Sequence, residues 1–204
     1  MSEDGENWGY EAGPSDAMKQ EIGQVVINHA LCDDPLLELF MTLSGTSRST
    51  AYILVQSLNL KAGGMTKAIL DLANTRSPAI NPDLNSRLTL AIGDYRKLSQ
   101  LRNEVAHWQW YPSEQGAETA NASNVMRRNS DDSQVIKEFT LHNLKQLSVS
   151  LIITYSALKL VSGLIPLTSP SADLKQVIAN LDSISQKVKD AMLTLPEPVA
   201  EELP

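Results

Sequence analysis

Apolar residues along this chain recur mostly at steps of three and four, the spacing that gathers side chains on one face of an α-helix. The longest run falls in 83–108, where Ala91, Tyr95, Leu98, Leu101, Val105 and Trp108 mark the buried stripe of one long helix. Ahead of it, Pro14-Ser15-Asp16 offers capping chemistry for a first helix through Ile22, Val25, Val26 and Ala30. Asp33-Asp34-Pro35 opens a second, with proline in the first turn and Leu36, Leu37, Leu39, Phe40 and Leu43 along it. After Ser44-Gly45-Thr46, a third carries Ala51, Tyr52, Leu54, Val55 and Leu58. Gly63-Gly64 reads as its stop, with a short fourth helix over 65–73. Ser77-Pro78 and Asn81-Pro82 read as turns.

Past the long helix the pattern changes. Residues 112–132 are polar and read as a loop, while short alternations at 108–111, 124–128 and 134–139 fit a small β-hairpin excursion. Thr140 then caps a helix that buries Leu144, Leu147, Leu151, Tyr155 and Leu158 and stops near Gly163 and Pro166. A last helix begins near Ser169-Pro170 and carries Leu174, Val177, Leu181, Ile184, Val188, Ala191 and Leu195. That alternation fits either a seam with another chain or one more helix of the same bundle. The predicted fold is all-α, a bundle of roughly five to seven helices with a small β insertion. The expected organisation is a disordered leader (1–13), one helical domain (14–195) and an acidic tail (196–204).

Composition agrees with a folded domain. A chain of 204 residues, 42% apolar and 20% charged, buries a substantial core as one domain. Cys32 is the single cysteine, so no intrachain disulfide forms and a reducing compartment is expected. The first residues lack the apolar core of a signal peptide. The apolar stretch 149–165 is interrupted by Ser150, Thr154, Ser156, Lys159 and Ser162, which suits a buried helix better than a membrane span. A soluble, cytoplasmic protein follows, with no membrane partner. Net charge is −7 and the isoelectric point is near 4.9, which disfavours stable, non-specific binding to nucleic acid. Transient engagement of a single strand at a small local site remains open, with Arg96 and the doublet Arg127-Arg128 as candidate RNA contacts.

The chemistry concentrates at the end of the long helix, in Arg102-Asn103-Glu104-Val105-Ala106-His107 followed by Trp108. With about 100° per residue and Leu101 at zero, the apolar stripe centres near +50°. Asn103 and His107 then fall at about 200° and 240°, on the opposite face, as an i,i+4 pair. Arg96 and Gln100 share that face, and Arg102 flanks it at about 100°. A guanidinium, an amide and an imidazole so close together can bind an anion and move a proton, which suits phosphodiester chemistry. A polar residue on a solvated face needs no function, and that plain reading stands beside the chemical one.

This segment resembles the signature of the HEPN (higher eukaryotes and prokaryotes nucleotide-binding) families: arginine, a polar residue, and histidine after a short spacer. The resemblance extends over roughly residues 30–165 in the order of elements. It takes in the N-terminal helices, the motif helix, a variable polar insert, and Phe139-Thr140-Leu141-His142-Asn143-Leu144 opening another long helix. It implies a HEPN-like helical domain that forms a homodimer in which the motif helices meet. Many such proteins are metal-independent endoribonucleases, often toxins or defence effectors with an antitoxin partner. The resemblance would make His107 the general acid or base, Arg102 the ligand of the scissile phosphate, and Asn103 the residue orienting either. A non-catalytic module binding nucleotide, RNA or a protein is the alternative. Members silenced by a nucleotidyltransferase carry a tyrosine two places after the histidine; here Trp110 stands there and Tyr111 follows.

Other constellations carry less. His29, Cys32, Asp33 and Asp34 have metal-capable atoms, but no second cluster completes a site, so no metal or cofactor is expected. Lys61-Ala62-Gly63-Gly64 lacks phosphate-loop spacing. His142 reads as a surface residue, and Ser44 to Ser47 offers no catalytic triad with His107.

Overall fold

The computed structural model describes residues 13–128, 134–166 and 172–192. Within them the chain forms seven helices and one small sheet, in the order α1 (Asp16–Leu31), α2 (Asp33–Ser44), α3 (Arg48–Ser57), α4 (Ala62–Thr75), α5 (Pro82–His107), β1 (Gln109–Pro112), β2 (Thr119–Arg128), β3 (Gln134–Thr140), α6 (Leu141–Leu164) and α7 (Ala172–Met192). The expected leader, apart from Gly13, and the acidic tail lie outside the described residues, as do the segment with Ser169-Pro170 and Leu195.

Two long helices organise the bundle. Leu84 and Leu88, early in α5, share a core with Leu158 and Val161, late in α6, and with Ile165, its C-cap. Leu98 and Val105, late in α5, share a second core with Leu141, Leu144 and Leu147, early in α6. The two helices therefore run antiparallel and connect both cores. α2 and α4 close the first core, and α1 and the sheet close the second. Each fully buried leucine contributes about 1.5–3 kcal/mol by leaving water, so these rows fix which face of each helix points inward. α6 is long and apolar enough to cross a membrane, yet half of its most apolar stretch is buried inside the bundle, as in a core helix.

The caps fall largely where residue chemistry places them. The Ser15 hydroxyl accepts from the Met18 N–H to start α1. Thr140 and Asn143 form a reciprocal capping box at the start of α6, each side chain accepting from the other's backbone N–H. Asn81-Pro82, expected as a turn, instead starts α5: the Asn81 side-chain Oδ1 accepts from the Asp83 and Leu84 N–H groups and Pro82 takes the first helical position.

Three expectations are corrected. Gly63-Gly64 does not stop α3, because α3 already ends at Ser57 and Asn59 reverses the chain in the left-handed region at φ 47°. Both glycines lie in the first turn of α4, where a Cβ on Gly64 would approach the Leu60 side chain to 3.3 Å. Second, the insertion is a three-stranded antiparallel meander, β1-β2-β3, rather than a hairpin. The first half of β2, 119–123, reads as loop because it is written in small residues; Ala120 and Ala122, fully buried, let the strand lie close against its neighbours. Third, the register of α1 differs. Val26 and Ala30 are exposed, and the inward stripe instead runs Met18, Ile22, Val25, His29, Cys32. Likewise only Ala51 of α3 is buried, with Tyr52 and Leu58 exposed.

α7 resolves the choice left open by its periodicity, among the residues described. Leu181 and Val188 enter the two cores of the same chain, and Asp182 pairs with Arg87 of α5 at 2.7 Å.

Candidate functional site

The last three turns of α5 carry two stripes at once. Tyr95, Leu98 and Val105 face the cores, and Arg96, Gln100, Asn103 and His107 are all exposed on the opposite side, at steps of four, three and four. These four line one cleft of about 710 Å³. Its far wall is the start of α4, at Lys61, Ala62 and Gly63, and Asn124 of β2 reaches its rim. No side chain caps α4, so its first N–H groups are unused by the helix and favour an anion there. Arg96 is steadied by an Nε–H donation to the Thr66 hydroxyl at 2.9 Å. His107, the last residue of α5, has no hydrogen bond among those described and keeps both ring nitrogens for the cleft.

Arg102 does not line the cleft. Its guanidinium turns toward α1, donating Nη2–H to His29 Nδ1 at 3.1 Å and Nη1–H to Asn103 Oδ1 at 3.0 Å. Arginine has only donors, so His29 Nδ1 must be unprotonated and the Asn103 atom facing it must be the oxygen. His29 Nε2 therefore carries the ring proton and donates it to the Ser99 hydroxyl at 2.9 Å. The His29 ring stacks on Tyr95 with centroids 5.3 Å apart. The structure thus brings Asn103, His107, Arg96 and Gln100 together and sets Arg102 behind them. Arg127 and Arg128 close β2, and their side chains lie outside the described residues.

Burial, and then the positive charge of Arg102, lower His29 to about 4. Burial raises Tyr95 to about 12. It also raises the Cys32 thiol to about 12, with Asp33 adding to the effect, which leaves Cys32 an inert packing residue. Burial likewise raises Asp33, against the pull of Arg102. His29 thus yields a pH prediction. The unfolded chain takes up its proton near 6.5 and the folded chain only near 4. Its contribution is therefore complete above pH 6.5 and falls away as pH drops toward 4. After allowance for solvent screening the loss is on the order of 2 kcal/mol. Urea denaturation between pH 7 and 4 should show this slope in wild type and a shallower one in His29→Phe; identical slopes would remove His29 as its source.

A buried ion pair fixes the sheet to the motif. Lys137 Nζ, from the inward face of β3, lies 2.7 Å from Glu104 Oε2, with both side chains under a tenth exposed. The same ammonium sits 5.7 Å from the Trp108 ring centre. Trp110 donates its indole N–H to the Val105 carbonyl at 3.0 Å and packs on Phe139. The tryptophans after the motif thus hold the helix end against the sheet.

Sequence reasoning missed His29, Ser99, Glu104 and Lys137. Two of the four carried a signal. His29 continues the Met18, Ile22, Val25 spacing, and Lys137 occupies an inward strand position between Val135 and Phe139. Among the described residues no three His, Cys, Asp or Glu side chains gather as metal ligands. A second pocket, of about 490 Å³, lies beyond Tyr95 and is lined by Asp33, Arg48, Tyr52 and apolar residues of α2 and α4. No family model, no curated protein and no solved structure matches this chain.

Proposed function

We propose that the α5 cleft binds single-stranded RNA and cleaves it without a metal, as a HEPN-like endoribonuclease. The observation that carries this reading is the pairing of Asn103 and His107, one turn apart and exposed in a cleft that also holds Lys61, Arg96 and the open start of α4. His107 takes the proton of a ribose 2′-hydroxyl as that oxygen attacks the adjacent phosphorus. The bond from phosphorus to the 5′-oxygen breaks, and that oxygen takes a proton from an acid. The products are a 2′,3′-cyclic phosphate and a 5′-hydroxyl. A homodimer joined through the motif faces would bring a second His107 to serve as the acid, by an isologous contact. The charge of Arg102 acts from behind Asn103 as negative charge builds on the phosphate.

The test is incubation with single-stranded RNA in excess EDTA. Cleavage leaving 2′,3′-cyclic phosphate ends is the expected outcome. Strict dependence on a divalent ion, or 5′-phosphate products, would overturn the mechanism. Sedimentation at high micromolar concentration should give a dimer, and a monomer there would remove the second histidine from the scheme.

A second reading rests on Arg102. Its guanidinium faces His29 rather than the cleft, and the chain carries a net charge of −7. A module that binds a nucleotide, RNA or a protein without cutting accounts for both. Saturable binding of RNA with no product on prolonged incubation would select it.

A further inference from the structure

We infer that His29 is a positioning residue, which acts through Arg102 to aim the amide donors of Asn103 into the cleft at a phosphate oxygen. The inference rests on the cleft being a phosphodiester site. It begins from the direction of each hydrogen bond. Because arginine can only donate, Asn103 Oδ1 is committed to Arg102 and its Nδ2 group has no partner among the described residues. That leaves N–H donors exposed in the cleft, one turn from His107. Donors suit a phosphate oxygen, whereas the flipped amide would present an acceptor and repel it.

The aim of that amide depends on Arg102, and an arginine side chain alone has many rotamers to choose from. His29 removes the choice. Its Nδ1 accepts Nη2–H, and it is itself held by the Ser99 hydroxyl and the stack on Tyr95. His29 is 6% exposed and does not line the cleft, so it acts there through its neighbours rather than by touching the phosphate. In the chain Ser99, His29, Arg102, Asn103, the first and last residues line the cleft, and His29 and Arg102 join them from behind its wall. It also assigns Arg102 a role different from direct phosphate contact.

Two variants separate the parts. His29→Phe keeps the aromatic stack and removes the acceptor. His29→Asn returns an acceptor oxygen near the place of Nδ1. The first readout is the Asn103 side-chain amide in ¹⁵N NMR, measured without RNA. It should be ordered in wild type and in His29→Asn, and as mobile in His29→Phe as other exposed asparagines. The second is RNA cleavage in EDTA, which in His29→Phe should fall by about 10²-fold in kcat/KM, the cost of a misplaced contact, and recover in His29→Asn. An Asn103 amide as ordered in His29→Phe as in wild type would overturn the inference, whatever the rates. If the order is lost while wild type cuts no RNA, the ribonuclease reading fails and the positioning stands. Should His29→Phe not fold, Arg102→Lys keeps the charge without the fork; it must free the Asn103 amide, and an unchanged amide would again overturn the inference.

Discussion

Replacing His107 with alanine should slow RNA cleavage by about 10²–10⁴-fold, the span a general acid–base group supplies. The fold should hardly notice. His107 is exposed at the last helical position and has no hydrogen bond among the described residues, so its loss should stay within about 0.5 kcal/mol in denaturant. Arg102→Ala should behave differently. It takes away the donor to buried His29 and the partner of Asn103 together, so it should weaken folding and cleavage alike. Single-turnover rates in EDTA beside urea midpoints distinguish the two. Equal cleavage by wild type and His107→Ala would assign the activity to a contaminant, and the binding reading would take over.

Lys137→Met should destabilise the protein by about 3–5 kcal/mol, the largest stability effect expected of one polar substitution here. It leaves the Glu104 carboxylate, 5% exposed in the wall of the cleft, with no counter-charge. For a chain of this size that loss lowers the thermal midpoint by roughly 6–20 °C. The double change Glu104→Met with Lys137→Met should recover most of it, since the cost comes from an unpaired buried charge rather than from the pair's net attraction. If Lys137→Met alone melts with wild type, the pair is not buried in solution. Because the pair ties β3 to the turn of α5 between Asn103 and His107, the single variant should also lose cleavage at temperatures where it stays folded.

Much of the secondary structure was legible in the chain, because period and caps are local properties. The Ala91 to Trp108 stripe, the Thr140 cap and the α7 spacing needed only neighbours within one or two turns. Elements written in small or flexible residues were not legible. β2 reads as polar loop until Ala120 and Ala122 have neighbours to pack against, and Gly63-Gly64 reads as a stop until Asn59 has reversed the chain before it.

The face of the candidate site was likewise determined by sequence, since an α-helix fixes the angle between Asn103 and His107 whatever surrounds it. The partners of that face were decided by tertiary structure alone. His29 lies 73 positions from Arg102 and Lys137 lies 33 from Glu104, separations at which no local pattern specifies a contact. Arg102 was the ambiguous residue, at the flank between stripe and open face, with a side chain long enough for either. The docking of α1 placed an acceptor, His29 Nδ1, on the buried side. A half-buried guanidinium needs acceptors more than it needs solvent, and that turned Arg102 inward and left Asn103 and His107 to face the cleft.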